Sequence, residues 1–420
     1  MYSIEMTCSM AIPELNEDVV TIICDFLINV PDLCAISLTC SSFRPIAIRR
    51  LLSIRPIRII GGASVRQFHT FLFADSPARA PFVHALELNT GSVHRPPQPG
   101  DASLLVDILT SCQRLEHITF ARRSFTQPLT EDPGVIDAIA SIPSLRSLSI
   151  QSTAAHALAL VRKVRTPLRA LGLWCFYAAG SEDDEFNWYP TAFQDTLSHL
   201  APSLKKLSFH ELVVDPDIIQ ELQGSDAEGA VPPISSWMQY PAVRSLSVNY
   251  FTGMLLLEPL QHLFPALDGT LSVGQIDVGY PEDTLADMRE VNQLAQEGEN
   301  GSGSGAWRKL DRVICPPVGF YLLCLRCPVR LAIIDGTDVY YDLEVVQRCI
   351  AVSLRENPVP HLTLCLALDD GLGLFRGLLP PELGNTLTHL TLVLDAVGHG
   401  SPAVAFGSIE LLVRTSGAPF

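Results

Sequence analysis

Eight times in this chain an apolar residue is followed by a second three positions on and a third two further on: VHALEL, LEHITF, LRSLSI, LRALGL, LKKLSF, VRSLSV, LDRVIC and LTHLTL. Their fourth positions are Leu86, Ile118, Leu148, Leu171, Leu207, Leu246, Val313 and Leu390. The last two apolar positions alternate as they would along a strand, whose side chains point to opposite faces in turn. LDGTLSV, CPVRLAII and HLTLCLAL are imperfect copies. Between copies lie stretches with apolar residues three or four apart, such as DASLLVDILTSC, PGVIDAIASI and DLEVVQRCIAVSL, which is the pattern of one buried helix face. A proline commonly separates helix from strand, at Pro143, Pro167, Pro202, Pro241, Pro265 and Pro360. Proline cannot continue a helix and biases its predecessor toward extended geometry. The repeated unit is therefore helix, proline stop, strand.

Steps between clear neighbours run from 23 residues (Leu148 to Leu171) to 39 (Leu207 to Leu246), which fits an irregular solenoid with unequal loops. The phrase resembles the leucine-rich-repeat strand LxxLxL, over roughly residues 55 to 415. Regular repeats of that family place Asn or Cys three residues after the last Leu. Here the position holds Gly91, Arg123, Thr153, Phe176, Leu212 and Phe251. The resemblance thus implies a solenoid without the Asn ladder and with uneven geometry.

With 47% apolar and 18% charged residues among 420, the chain is rich enough in apolar side chains to bury a large core. Its formal charge is −16, and 39 acids against 24 bases lie beyond residue 60. A field of that sign opposes unassisted binding to nucleic acid or an anionic membrane. The N-terminus lacks a basic, apolar leader, and the most hydrophobic window, CPPVGFYLLCLRCPVRLAII, is interrupted by Pro328, Arg326 and Arg330. Neither nucleic acid nor membrane is expected as a partner. Eleven scattered cysteines suit a reducing compartment, so a cytoplasmic or nuclear location is expected. Cys324 and Cys327 form a CxxC with no second close pair, so they read as buried thiols with no metal or redox cofactor.

The segment IPELNEDVVTIICDFLINVPDLCAISLTCSSFRPIAIRRLL, residues 12 to 52, reads as three short helices: one around Asn16 to Leu27, one after Pro31 and one after Ser41 and Ser42. Glu14, Glu17 and Asp18 suit the positive end of the first helix dipole. The segment resembles the F-box in order and spacing. The matching positions are Ile12, Pro13 and Glu14, then Val19, Val20, Ile23 and Leu27, then Asp32 and Leu33, then Ile36, Leu38, Cys40 and Phe43. Thr39 and Ile12 depart from its usual Val and Leu, and both changes keep the apolar anchors. The pairing of segment and repeats also resembles the divergent F-box proteins of mushroom-forming fungi.

In that family the F-box docks on the Skp adaptor of a cullin-RING ubiquitin ligase and the region behind it captures a protein substrate. The resemblance therefore implies an α/β protein with a short all-helical F-box at residues 1 to 54. An irregular leucine-rich-repeat-like α/β solenoid with parallel strands would follow at 55 to 420. Its adaptor-binding residues would be Ile12, Pro13, Glu14, Val20, Ile23, Leu27, Leu33, Leu38, Cys40 and Phe43. The alternative is a non-catalytic protein-binding scaffold in which this segment is only a helical cap, with no ligase.

No HExxH, phosphate loop or nucleophile elbow is present, so no enzyme is expected. Residues 282 to 305, EDTLADMREVNQLAQEGENGSGSG, read as an acidic helix leading into a flexible insertion outside the solenoid. On the strands, the residues flanking the inward pair face outward. They are small or polar except for Trp174, which makes Trp174, Trp188, Lys206 and His210 the expected substrate-binding residues.

Overall fold

The computed structural model describes residues 16–39, 41–74, 79–89, 98–120, 132–152, 154–175, 189–223, 232–276, 282–297, 307–336, 343–367, 378–395 and 409–414. The chain divides into two compact units, Met1–Leu145 and Arg146–Phe420. The N-terminal helices and the first three strands fall in the first unit.

That unit opens with α1 (Glu17–Phe26), α2 (Val30–Thr39) and α3 (Phe43–Ile54). Asn16 caps α1, its side chain accepting from the Asp18 N–H at 3.0 Å, while Glu17 and Asp18 occupy the first turn. The three helices close around Val20, Cys24, Leu33, Ile46 and Ala47, with Leu27, Ile36, Phe43, Leu51 and Ile54 packed at the edge. After them come β1 (Ile57–Ile60), α4 (Gly61–Phe73), β2 (Ala85–Asn89), α5 (Asp101–Ser111), β3 (His117–Phe120) and α6 (Pro133–Ala140). Strands β1, β2 and β3 pair in parallel, with Ile57 opposite Leu86 and Leu86 opposite Ile118.

In the second unit the phrase copies become β4 (Ser147–Ser152), β5 (Ala170–Cys175), β6 (Lys206–Val213), β7 (Ser245–Thr252), β9 (Leu310–Cys315) and β12 (His389–Asp395). The imperfect copies become β8 (Thr270–Ile276), β10 (Val329–Gly336) and β11 (His361–Ala367). Each of β4 to β11 is parallel to the strand that follows it, in chain order. The last strand, β13 (Ile409–Arg414), returns antiparallel against β12. Parallel neighbours need a crossover. Here α7 (Ala154–Lys163), α8 (Pro190–Leu197), α9 (Pro216–Gln223), α10 (Leu257–Leu263), α11 (Glu282–Glu297), α12 (Pro317–Leu323) and α13 (Leu343–Glu356) lie in the connections.

Register explains why the phrase recurs. The fourth-position residues Leu148, Leu171, Leu207, Leu246, Leu271 and Val313 stand opposite one another from strand to strand. All are buried, as are the first-position residues Leu145, Leu168, Leu204 and Val243. Stacking each layer against identical neighbours removes both apolar rows from water, which one unit alone could not do.

The helix at 282–297 corrects an expectation. It is one of the stacked helices and not an insertion outside the solenoid: Leu285, Met288, Arg289, Asn292 and Gln296 are all buried. Asn292 Oδ1 accepts from the Leu257 N–H at 2.7 Å, and its Nδ2 donates to the carbonyls of Leu255 and Leu322. Gln296 donates to the Cys324 carbonyl and accepts from the Arg326 N–H. Residues 298–305, the rest of the expected insertion, lie outside the described residues. No helix among the described residues is long and apolar enough to cross a membrane.

Candidate functional site

Two surfaces stand out, one in each unit. On α1 the apolar residues fall on two adjoining faces. Val20, Cys24 and Leu27 turn inward, and Val19, Ile22, Ile23 and Phe26, spaced i, i+3, i+4 and i+7, form a stripe turned to solvent. Exposure reaches 82% at Phe26 and 56% at Ile22, and Leu38 on α2 is 85% exposed. Soluble surfaces carry single exposed apolar residues routinely, whereas a continuous stripe on one helix marks a contact surface.

The expected adaptor-binding residues divide accordingly. Ile23 and Leu38 are exposed, and Leu27 and Phe43 are partly buried edge residues of the small core. Val20 and Leu33, at 3% and 0% exposure, are interior. They hold the helices together and present no surface to a partner. Ile12, Pro13, Glu14 and Cys40 lie outside the described residues. Sequence reasoning passed over Ile22 and Phe26, whose signal was α1's apolar width, too broad for one buried face.

In the second unit the outward row of the strands is Ser149, Gly172, Ser208, Ser247 and Ser272, each opposite the next. These side chains are so short that they leave a shallow trough. Trp174 and His210 form one bank, their rings tilted with centroids 5.9 Å apart, and Asn249 Nδ2 lies 3.4 Å from His210 Nδ1. The indole leans back over the trough: a Cβ on Gly172 would come within 3.3 Å of Trp174 Nε1. Trp174 is half-buried and Lys206 is exposed. The structure thus brings Trp174 and His210 together and places Lys206 at the start of β6, four residues or about 13 Å before His210. Trp188 lies outside the described residues. Farther along, a groove of about 350 Å³ is lined by Asn249, Gln275, Pro316, Val318 and Asp335 among others.

The CxxC is core. Cys324 and Cys327 are buried, and desolvation pushes both thiols up to about 11, so they stay protonated and apolar in character. No protein-family model matches this chain, and comparison with curated proteins gives no match.

Proposed function

We propose that this chain is the substrate-recognition subunit of a Skp-cullin-F-box ubiquitin ligase. The α1–α3 segment docks the adaptor, and the repeat units capture a protein substrate. The observation that carries this reading is the unpartnered stripe Val19, Ile22, Ile23 and Phe26, set on a helix that already buries another apolar face in its own small core. Such a helix is complete as a fold and incomplete as a surface. The role is non-catalytic: it holds a substrate near the transferring machinery and acts through proximity.

A second reading, a protein-binding scaffold with a helical cap and no ligase, draws on a different contact. Arg49 of α3 lies 4.8 Å over the Phe82 ring, so α3 also packs on the turn before β2.

Affinity capture with the Skp adaptor separates the two. Burying a large apolar side chain is worth about 1.5–3 kcal/mol. Changing Ile22 and Phe26 together to Ala is therefore expected to weaken capture by two orders of magnitude or more without unfolding the helices. Absence of capture by the wild-type chain would leave the scaffold reading, and undiminished capture by a folded double variant would show that the stripe is not the docking surface.

A further inference from the structure

The second residue of four successive phrase copies is basic: Arg146 in LRSLSI, Arg169 in LRALGL, Lys205 in LKKLSF and Arg244 in VRSLSV. The backbone turns this recurrence into a row. Arg169 N–H donates to the Arg146 carbonyl at 2.7 Å, Lys205 N–H to Arg169 at 2.8 Å, and Arg244 N–H to Lys205 at 2.8 Å. The four residues are rungs of one ladder along the rim where β4 to β7 begin. Neighbouring rungs sit ~4.8 Å apart, the spacing of paired strands.

Their partners differ along the row. Arg244 is held by Asp268 at 2.7 Å, and farther on Arg330 is held by Asp311 and Arg326 by Glu297. Arg146, Arg169, Lys205 and the adjoining Lys206 have no ion pair or side-chain hydrogen bond. Three of them, Arg169, Lys205 and Lys206, are exposed. In a chain of charge −16 these four cations stand together on three adjoining strands without an acid beside them, whereas Arg244 and Arg330 each hold one. Arg146, Arg169 and Lys205 each stand three residues before Ser149, Gly172 and Ser208 of the outward row, and Trp174 and His210 follow two residues after Gly172 and Ser208.

We propose that β4 to β6 bind an acidic peptide segment of a protein partner, its carboxylates on Arg146, Arg169, Lys205 and Lys206 and one apolar side chain against Trp174. The rungs span ~10 Å, the length of about three extended residues. A linear spread of cations suits successive Asp or Glu side chains. A phosphate group wants donors converging on one point, with backbone N–H groups among them. Here the N–H groups of Arg169 and Lys205 are already committed to the ladder. Nucleic acid would need the row of free cations to continue, and on the next strand of the row Arg244 is neutralised by Asp268.

This inference rests on reading the repeats as the capture surface, and it is tested on the full chain without the adaptor. Loss of adaptor capture would therefore sink the ligase role and leave the peptide result standing. The probe is a fluorescein-labelled nine-residue peptide of Asp and Glu with one central Phe, followed by anisotropy at low and physiological salt. Each exposed ion pair contributes a factor of about two to five. The triple variant Arg146→Gln, Arg169→Gln, Lys205→Gln is therefore expected to lose about tenfold or more in affinity and most of the salt dependence. A control triple, Arg44→Gln, Arg55→Gln, Arg308→Gln, removes the same charge elsewhere and should stay within twofold. Trp174→Ala should weaken binding at both salt concentrations, and Arg146→Lys with Arg169→Lys, which keep the charge, should retain it if the Gln triple fails to fold. Absence of binding by the wild type, or equal loss in both triples, would overturn the proposal. So would tighter binding of a single phosphoserine peptide lacking Asp and Glu, or of single-stranded RNA.

Discussion

Replacing Asn292 by Leu isolates the contribution of one buried amide to the stacking of three layers. The side chain is 1% exposed and makes three hydrogen bonds, from the Leu257 N–H and to the Leu255 and Leu322 carbonyls. A buried group left without its partner costs about 1–3 kcal/mol. Taking the lower part of that range, about 1–2 kcal/mol for each of one N–H and two carbonyls, the three orphaned groups should cost about 3–6 kcal/mol. Leu fills nearly the same space, so the loss is not a cavity effect, and Asn292→Ala supplies the comparison. In a repeat architecture each layer is supported mainly by its neighbours, so the opening should be local. Hydrogen exchange followed by mass spectrometry should show amides in residues 255–263 and 320–325 exchanging about 10²- to 10⁴-fold faster in both variants. Residues of α1 to α3 should be unchanged. If Asn292→Leu exchanged like wild type while Asn292→Ala did not, packing alone would explain the site and the hydrogen-bond argument would be refuted.

Two further outcomes follow from single positions. A Cβ on Gly274 would lie 2.2 Å from the Asn249 carbonyl oxygen, so Gly274→Ala must force β7 and β8 apart. A cost of about 1–3 kcal/mol is expected as a lower denaturation midpoint, and an unchanged midpoint would show that the strands absorb the methyl freely. Burial holds the His156 imidazole below its usual range, so the unfolded chain takes up a proton near pH 6.5 that the folded chain resists. Stability should be flat above that pH and fall as pH drops from there toward the lowered folded value. His156→Gln should reduce the acid-side slope, measured by denaturation between pH 7.5 and 5, and equal slopes in both proteins would count against the assignment.

The strands were legible because their signal is redundant. Leu148, Leu171, Leu207 and Leu246 each carry the same spacing, and a register shared by neighbours satisfies all of them at once. Helix α11 was not legible. Its acids, and the Gly and Ser residues after it, suggest a solvated excursion, whereas its buried face uses Asn292 and Gln296 beside Leu285 and Met288. An amide that satisfies backbone groups in another layer cannot be told in sequence from one bathed in water. The N-terminal helices show the same limit in another form. A family pattern marks Val20, Ile23, Leu33 and Leu38 alike as apolar positions, yet packing sends Val20 and Leu33 inside and leaves Ile23 and Leu38 outside. The basic second residue of the phrase was visible all along and meant nothing until the ladder put Arg146, Arg169 and Lys205 on adjoining rungs.

The missing Asn ladder and the unpaired rim have a common physical basis. In a regular repeat, a polar residue at the end of each strand satisfies the turn from within the strand phrase. Here the turns are satisfied largely from the helix side. Asn292 and Gln296 on α11 serve the turns at Leu255 and Cys324, and Asn357 after α13 donates to the carbonyls of Leu325 and Cys327. Asp215 before α9 accepts from the N–H groups of Asp217 and Met254. These ties come from the segments between strands, so they do not require the strand phrases to recur at one fixed spacing. The outward residues of β4 to β6 take part in none of these ties. Ser149, Gly172 and Ser208 fill no core, and Lys206 neutralises no acid. Side chains with no part in holding the fold are the ones whose identity a partner can set.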